Sequence, residues 1–81
     1  MKGYKFVALD FIDDYNVAGR LYWYLCEIES VDLGSLVLAP LGSHNRVQRA
    51  VVRKIMFADE TFAPYPVSAI KKIEGIVQER I

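Results

Sequence analysis

Gly34-Ser35-Leu36-Val37-Leu38-Ala39-Pro40-Leu41-Gly42, continuing through Ser43-His44-Asn45 to Gln48-Arg49-Ala50-Val51-Val52, decides the fold class. A glycine turn feeds an apolar strand at Leu36, Val37 and Leu38. Pro40-Leu41-Gly42 ends that strand, and the polar tip Ser43, His44, Asn45 returns the chain into a second apolar strand, from about Val47 to Phe57. This is the layout of a hairpin in a small β-barrel. Pro40 lacks a backbone donor and Gly42 lacks a side chain, so the hairpin mouth is expected to present bare backbone that a flat ligand can approach. Binding is therefore expected ahead of catalysis.

The rest of the chain fits around this hairpin. Residues 4–12 are rich in β-branched and aromatic side chains and read as a first strand. Asp13, Asp14, Asn16 and Gly19 then supply turn chemistry. Leu21 to Glu29 carries apolar material on both faces and reads as a second strand, the aromatic centre of the domain. Asp32-Leu33-Gly34 turns into the hairpin. Its second arm is longer than an ordinary strand, so a bulge is expected in it. Ala58 to Pro66 has no usable period and reads as a surface connection. Over 68–77 two readings stand: Ile70, Ile73 and Val77 have helical spacing with Ser68 as a cap, whereas Ile73, Gly75 and Val77 also alternate, and Gly75 disfavours a helix interior. The fold class expected is all-β, a small OB-like or SH3-like barrel of about five strands, with residues 1–81 as a single domain.

Size and composition narrow the function. An 81-residue chain buries one thin core and leaves little room for an enclosed active site. It is 53% hydrophobic and 25% charged, a globular composition. Ten basic residues balance ten acidic ones, which argues against strong sequence-independent phosphate binding. The charge is unevenly spread: residues 1–42 carry three basic against six acidic residues, and residues 43–81 carry seven against four. Arg46, Arg49, Arg53 and Lys54 form a run without an acid, facing either phosphate or water. A single Cys26, no leader at Met1 and no long apolar run lead to the expectation of a cytoplasmic protein without membrane contact.

Few residues carry chemistry. Tyr22, Trp23 and Tyr24 can stack a nucleobase or pack a core. Cys26 and His44 lie on different elements with no second ligand of either kind, so no metal site is expected. Cys26 reads as a small core residue and His44 as a solvated tip. Asp13 and Asp14 read as turn formers rather than a catalytic pair. Of Lys71 and Lys72, a strand would turn only one toward a groove. No enzyme activity and no cofactor are expected.

Val7-Ala8-Leu9, Tyr22-Trp23-Tyr24-Leu25, Gly34, Val37, Pro40-Leu41-Gly42, Ala50-Val51-Val52 and Ile70-Lys71 together resemble the amino-terminal DNA-binding domain of primosomal protein N-prime, the bacterial replication-restart helicase. The likeness spans almost the whole chain. It implies a small barrel of oligonucleotide-binding type that holds the 3′-terminal nucleotide of a DNA strand and ends in a strand rather than a helix. By position, the family's aromatic-acid-aromatic motif falls on Tyr22, Trp23 and Tyr24, its pocket glycine on Gly42 and its lysine on Lys71. Trp23 stands where the family carries an aspartate, so an indole replaces the carboxylate that engages the terminal sugar. The helicase motifs are missing from this sequence, which fits either a stand-alone relative or a separately made domain. The implied partners are single-stranded DNA or a DNA 3′ end, with other replication proteins or a second copy as further candidates. The competing reading is a protein-interaction or homodimerising barrel that pairs through an exposed edge.

Overall fold

The computed structural model describes residues 3–17, 19–64, 66 and 69–77. Alternating apolar positions become five strands: β1 (Tyr4–Asp10), β2 (Leu21–Cys26), β3 (Leu36–Leu41), β4 (Arg46–Ala58) and β5 (Gly75–Ile76). They form one antiparallel sheet in the order β2-β1-β4-β3-β5, and the chain is all-β. One 3-10 turn, Glu60–Phe62, follows β4, with the Asp59 carboxylate accepting from the Thr61 and Phe62 amides.

The sheet curls around a core drawn from alternate positions. Val7 and Leu9 of β1, Tyr24 and Cys26 of β2, Val37 and Ala39 of β3, and Ala50 and Val52 of β4 meet there, joined by Phe11, Val31 and Ile73. Phe6, Ala8 and Leu25 point to the opposite face and are also buried. Near β1 the sheet is thus covered on both sides, which accounts for the unbroken apolar run from Phe6 to Leu9.

The long β4 serves two neighbours, β1 and β3, and the expected bulge lies in it. Ala8 pairs with Lys54 and Leu9 with Val52, so Arg53 is the extra residue. Before the bulge the core positions are Ala50 and Val52; after it, Ile55 packs against the same core. Were the same residues to alternate regularly through this point, Lys54 would face the core and Ile55 the other side; the bulge shifts the alternation by one and keeps Ile55 inside.

Both early strands stop sooner than the sequence pattern suggests. β1 ends at Asp10, where β4 passes from β1 to β3, although Phe11 just beyond remains fully buried. β2 ends at Cys26, opposite Lys5, because the chain then turns: the Ile28 carbonyl accepts from the Cys26 thiol and from the Val31 amide.

Residues 69–77 settle the choice between helix and strand. The amides of Ile73, Glu74 and Val77 donate to the carbonyls of Leu25, Leu38 and Leu36, while the Leu25 amide donates to Lys71. A helix would need those amides for its own turns, so the segment is extended, with β5 only two residues long. Ser68, the cap of the helical reading, lies outside the described residues. The tail touches both sheet edges, pairing with β3 and making a single parallel bridge, Leu25 to Lys72, with β2. The sheet is barrel-like but not closed by a continuous ladder. Among the described residues no helix is long and apolar enough to cross a membrane.

Among the described residues, Ile73 is the only one of the tail in the buried core. Truncation to Ala is expected to lower stability by about 2–4 kcal/mol. In a thermal melt of a domain this size, each kcal/mol should lower the midpoint by roughly 4–8 °C.

Candidate functional site

Where the tail stops bridging the two edges, a slot remains between β2 and the β3–β4 hairpin. It opens as a cavity of about 620 Å³. β2 supplies Tyr22, Trp23 and Tyr24; the hairpin supplies Leu41 to His44, Arg46 and Gln48; the tail supplies Ala69 to Lys71; the β1–β2 loop adds Asp14 and Val17. All five residues singled out from the sequence, Tyr22, Trp23, Tyr24, Gly42 and Lys71, line this one cavity.

Their roles differ from those expected. Tyr24 is only 4% exposed, so its ring is part of the core and presents no face for stacking. It packs on Phe11 at 5.8 Å between ring centroids. Its hydroxyl donates to the Pro40 carbonyl at 2.5 Å. Burial, followed by the neighbouring Tyr22, pushes the Tyr24 phenol up to about 12, which keeps it protonated and donating. Tyr22 is half-buried, edge-on to Phe11 at 6.1 Å. Trp23 is half-buried as well. Both line the cavity, from opposite faces of β2.

The bare backbone expected at the hairpin mouth is in fact occupied. Leu36 and Leu38 give their carbonyls to the tail, so the even-numbered residues of β3 turn their backbone groups away from β4. Pro40 shares that parity. Its missing N–H therefore falls on the tail side, beyond the end of β5, where no ladder needs it. Its carbonyl takes the Tyr24 phenol, and the Gly42 carbonyl takes the Lys71 ammonium at 2.7 Å. Gly42 also has a conformational reason to be glycine. Its φ of +81° lies in the left-handed region, and no atom stands within 4 Å of where a Cβ would be.

Lys71 and Lys72 diverge. Lys72 pairs with Glu27 at 3.2 Å, whereas Lys71 turns to the slot. An ammonium has three donors, so after the Gly42 carbonyl two remain for a ligand. Arg46 and Gln48 were not singled out in the sequence. Arg46 sits in the acid-free basic run, but only the hairpin geometry shows that it, rather than Arg49 or Arg53, reaches the slot. Arg49 pairs in a fork with Asp13 at 2.9 and 3.1 Å, and Arg53 pairs with Asp10 at 3.4 Å. The Arg49 hydrogen bonds hold the Asp13 carboxyl below its ordinary range. Asp14 accepts from the Asn16 amide as a turn former, Cys26 is buried, and His44 is exposed at the tip while lining the cavity. Among the described residues no group of three or more potential metal ligands occurs.

No protein-family model, curated protein or solved structure matches this chain.

The Tyr24–Pro40 contact generates two expectations. Tyr24→Phe strands a buried carbonyl and should cost about 1–3 kcal/mol in a urea melt. The phenol ionises at a higher pH in the fold than in the unfolded chain. Its contribution to stability is therefore full below about pH 10 and lost as pH rises toward about 12, because the unfolded state releases the proton first. Tyr24→Phe should flatten that alkaline limb, and a limb of unchanged depth would contradict the assignment.

Proposed function

We propose that this domain binds nucleic acid, holding the end of a short single strand in the slot between β2 and the hairpin. The observation that carries this reading is the meeting of two partly open aromatic rings, Tyr22 and Trp23, with two cations, Lys71 and Arg46, around one cavity. Stacking of a base on an aromatic ring contributes about 1–3 kcal/mol and tolerates any sequence. The ammonium and guanidinium supply donors for phosphate, and the cavity volume suits a ligand of about nucleotide size. The resemblance to the primosomal helicase domain points the same way and suggests a role in replication restart, with DNA as partner. Trp23 in place of an acid favours grip on the base over grip on a terminal hydroxyl. The role requires no chemical step and no cofactor.

Trp23 is the single tryptophan of the chain, so its fluorescence reports directly on the slot. Short single-stranded DNA should quench it saturably. With two phosphate-facing cations the salt dependence should be shallow, a log–log slope of about −1.4. Lys71→Gln keeps a donor for the Gly42 carbonyl but removes the charge, and should halve that slope while weakening binding. An unquenched signal, or identical curves for the wild type and Lys71→Gln, would refute the proposal.

A further inference from the structure

A second cavity, of about 760 Å³, opens at a different part of the barrel, where β1 begins, β2 ends and β4 ends. Its composition differs from that of the slot. Its lining is largely apolar where Leu25 and Cys26 end β2 and Ile28 follows. Phe57 lines the cavity and is 74% exposed, paired with Lys5 one step from the end of the β1–β4 ladder. An aromatic side chain this open in a concave, largely apolar lining is the arrangement that a partner's side chain fills.

The charges around it select the partner. Glu27 and Glu29 stand exposed on the rim, and Glu60 lies close by, accepting from the Tyr4 hydroxyl at 3.3 Å. Lys5, the one cation lining the cavity among the described residues, turns its ammonium onto the backbone carbonyls of Val31 and Glu29. Those contacts engage its donors and hold it down within the wall. Lys72 is occupied with Glu27, while Glu29 lines the cavity as an exposed acidic residue. An exposed aromatic ring and an exposed acidic residue lining one largely apolar cavity complement a cation carried on an apolar stem.

We infer that this groove docks a segment of a partner protein carrying an arginine beside a leucine-like side chain. The guanidinium would engage the Phe57 ring and Glu29, with the apolar side chain against the apolar part of the lining. This site is separate from the nucleic-acid slot and stands whether or not that reading holds.

The test is a titration of the 15N-labelled full chain with a blocked Leu-Arg-Leu peptide, followed by amide shifts. Saturable shifts are expected at Lys5, Cys26 to Glu29 and Phe57, with the slot amides of Gly42 and Lys71 unmoved. Phe57→Ser and Glu29→Gln, both at exposed positions and so compatible with folding, should each weaken the peptide by about threefold to fivefold. A Leu-Glu-Leu peptide should leave the spectrum unchanged. The inference is overturned by absent shifts, by equal binding of the glutamate peptide, or by unaltered affinity in both variants. Concentration-dependent shifts at Phe57 without peptide would also overturn it, by assigning the groove to a second copy of the chain.

Discussion

The outer edge of β3 is the constraint on which the rest depends. Three carbonyls of β3, those of Leu36, Leu38 and Pro40, face away from β4 and require partners, and the Gly42 carbonyl follows in the turn, where the Asn45 amide also donates to it. Backbone amides of the tail answer the first two; side chains, the Tyr24 phenol and the Lys71 ammonium, answer the others. A backbone partner closes a sheet, whereas a side-chain partner satisfies the carbonyl and leaves space beside it. The slot exists because the edge changes from one kind of partner to the other between Leu38 and Pro40. Buried backbone groups left unpaired are costly, so this division also holds β2 and β3 at a set separation.

Charge is sorted by the same geometry. The acidic first half and basic second half of the chain meet as ion pairs: Asp10 with Arg53, Asp13 with Arg49, Glu27 with Lys72. Each is largely open to solvent and contributes about 0–1 kcal/mol at most. Their larger effect is on the surface potential, since they neutralise Arg49 and Arg53, two of the four residues of a basic run that reads from sequence as facing either phosphate or water. The cations left at the slot are Lys71 and Arg46, while exposed carboxylates rim the second cavity. One small sheet thus carries two concave surfaces of unlike electrostatic character.

Much of the fold was legible in the chain itself. Period-two alternation marked four strands, glycines with positive φ at Gly34 and Gly42 marked the hairpin, and the length of its second arm foretold a bulge. The grouping of Tyr22, Trp23, Gly42 and Lys71 followed from the family resemblance alone, since neither alternation nor spacing brings those elements together. The role of Tyr24 did not. Alternation places Tyr22 and Tyr24 on one face and cannot say which of two rings lies under the lip of the barrel and which at its rim. Arg46 was hidden for a similar reason: four basic residues in a row look alike until cross-strand acids claim some of them.

What the sequence alone determined is local: turn chemistry, side-chain alternation and apolar content enforce an all-β domain with one core. What only the tertiary structure decided is non-local. The helical and extended readings of residues 69–77 are nearly balanced in propensity, and the choice falls to strands some thirty to fifty residues away whose carbonyls take the tail's amides. Hydrogen-bond partners at that separation leave no imprint on neighbouring residues, so neither the tail's conformation nor the slot it leaves open can be read from the chain until the sheet has formed.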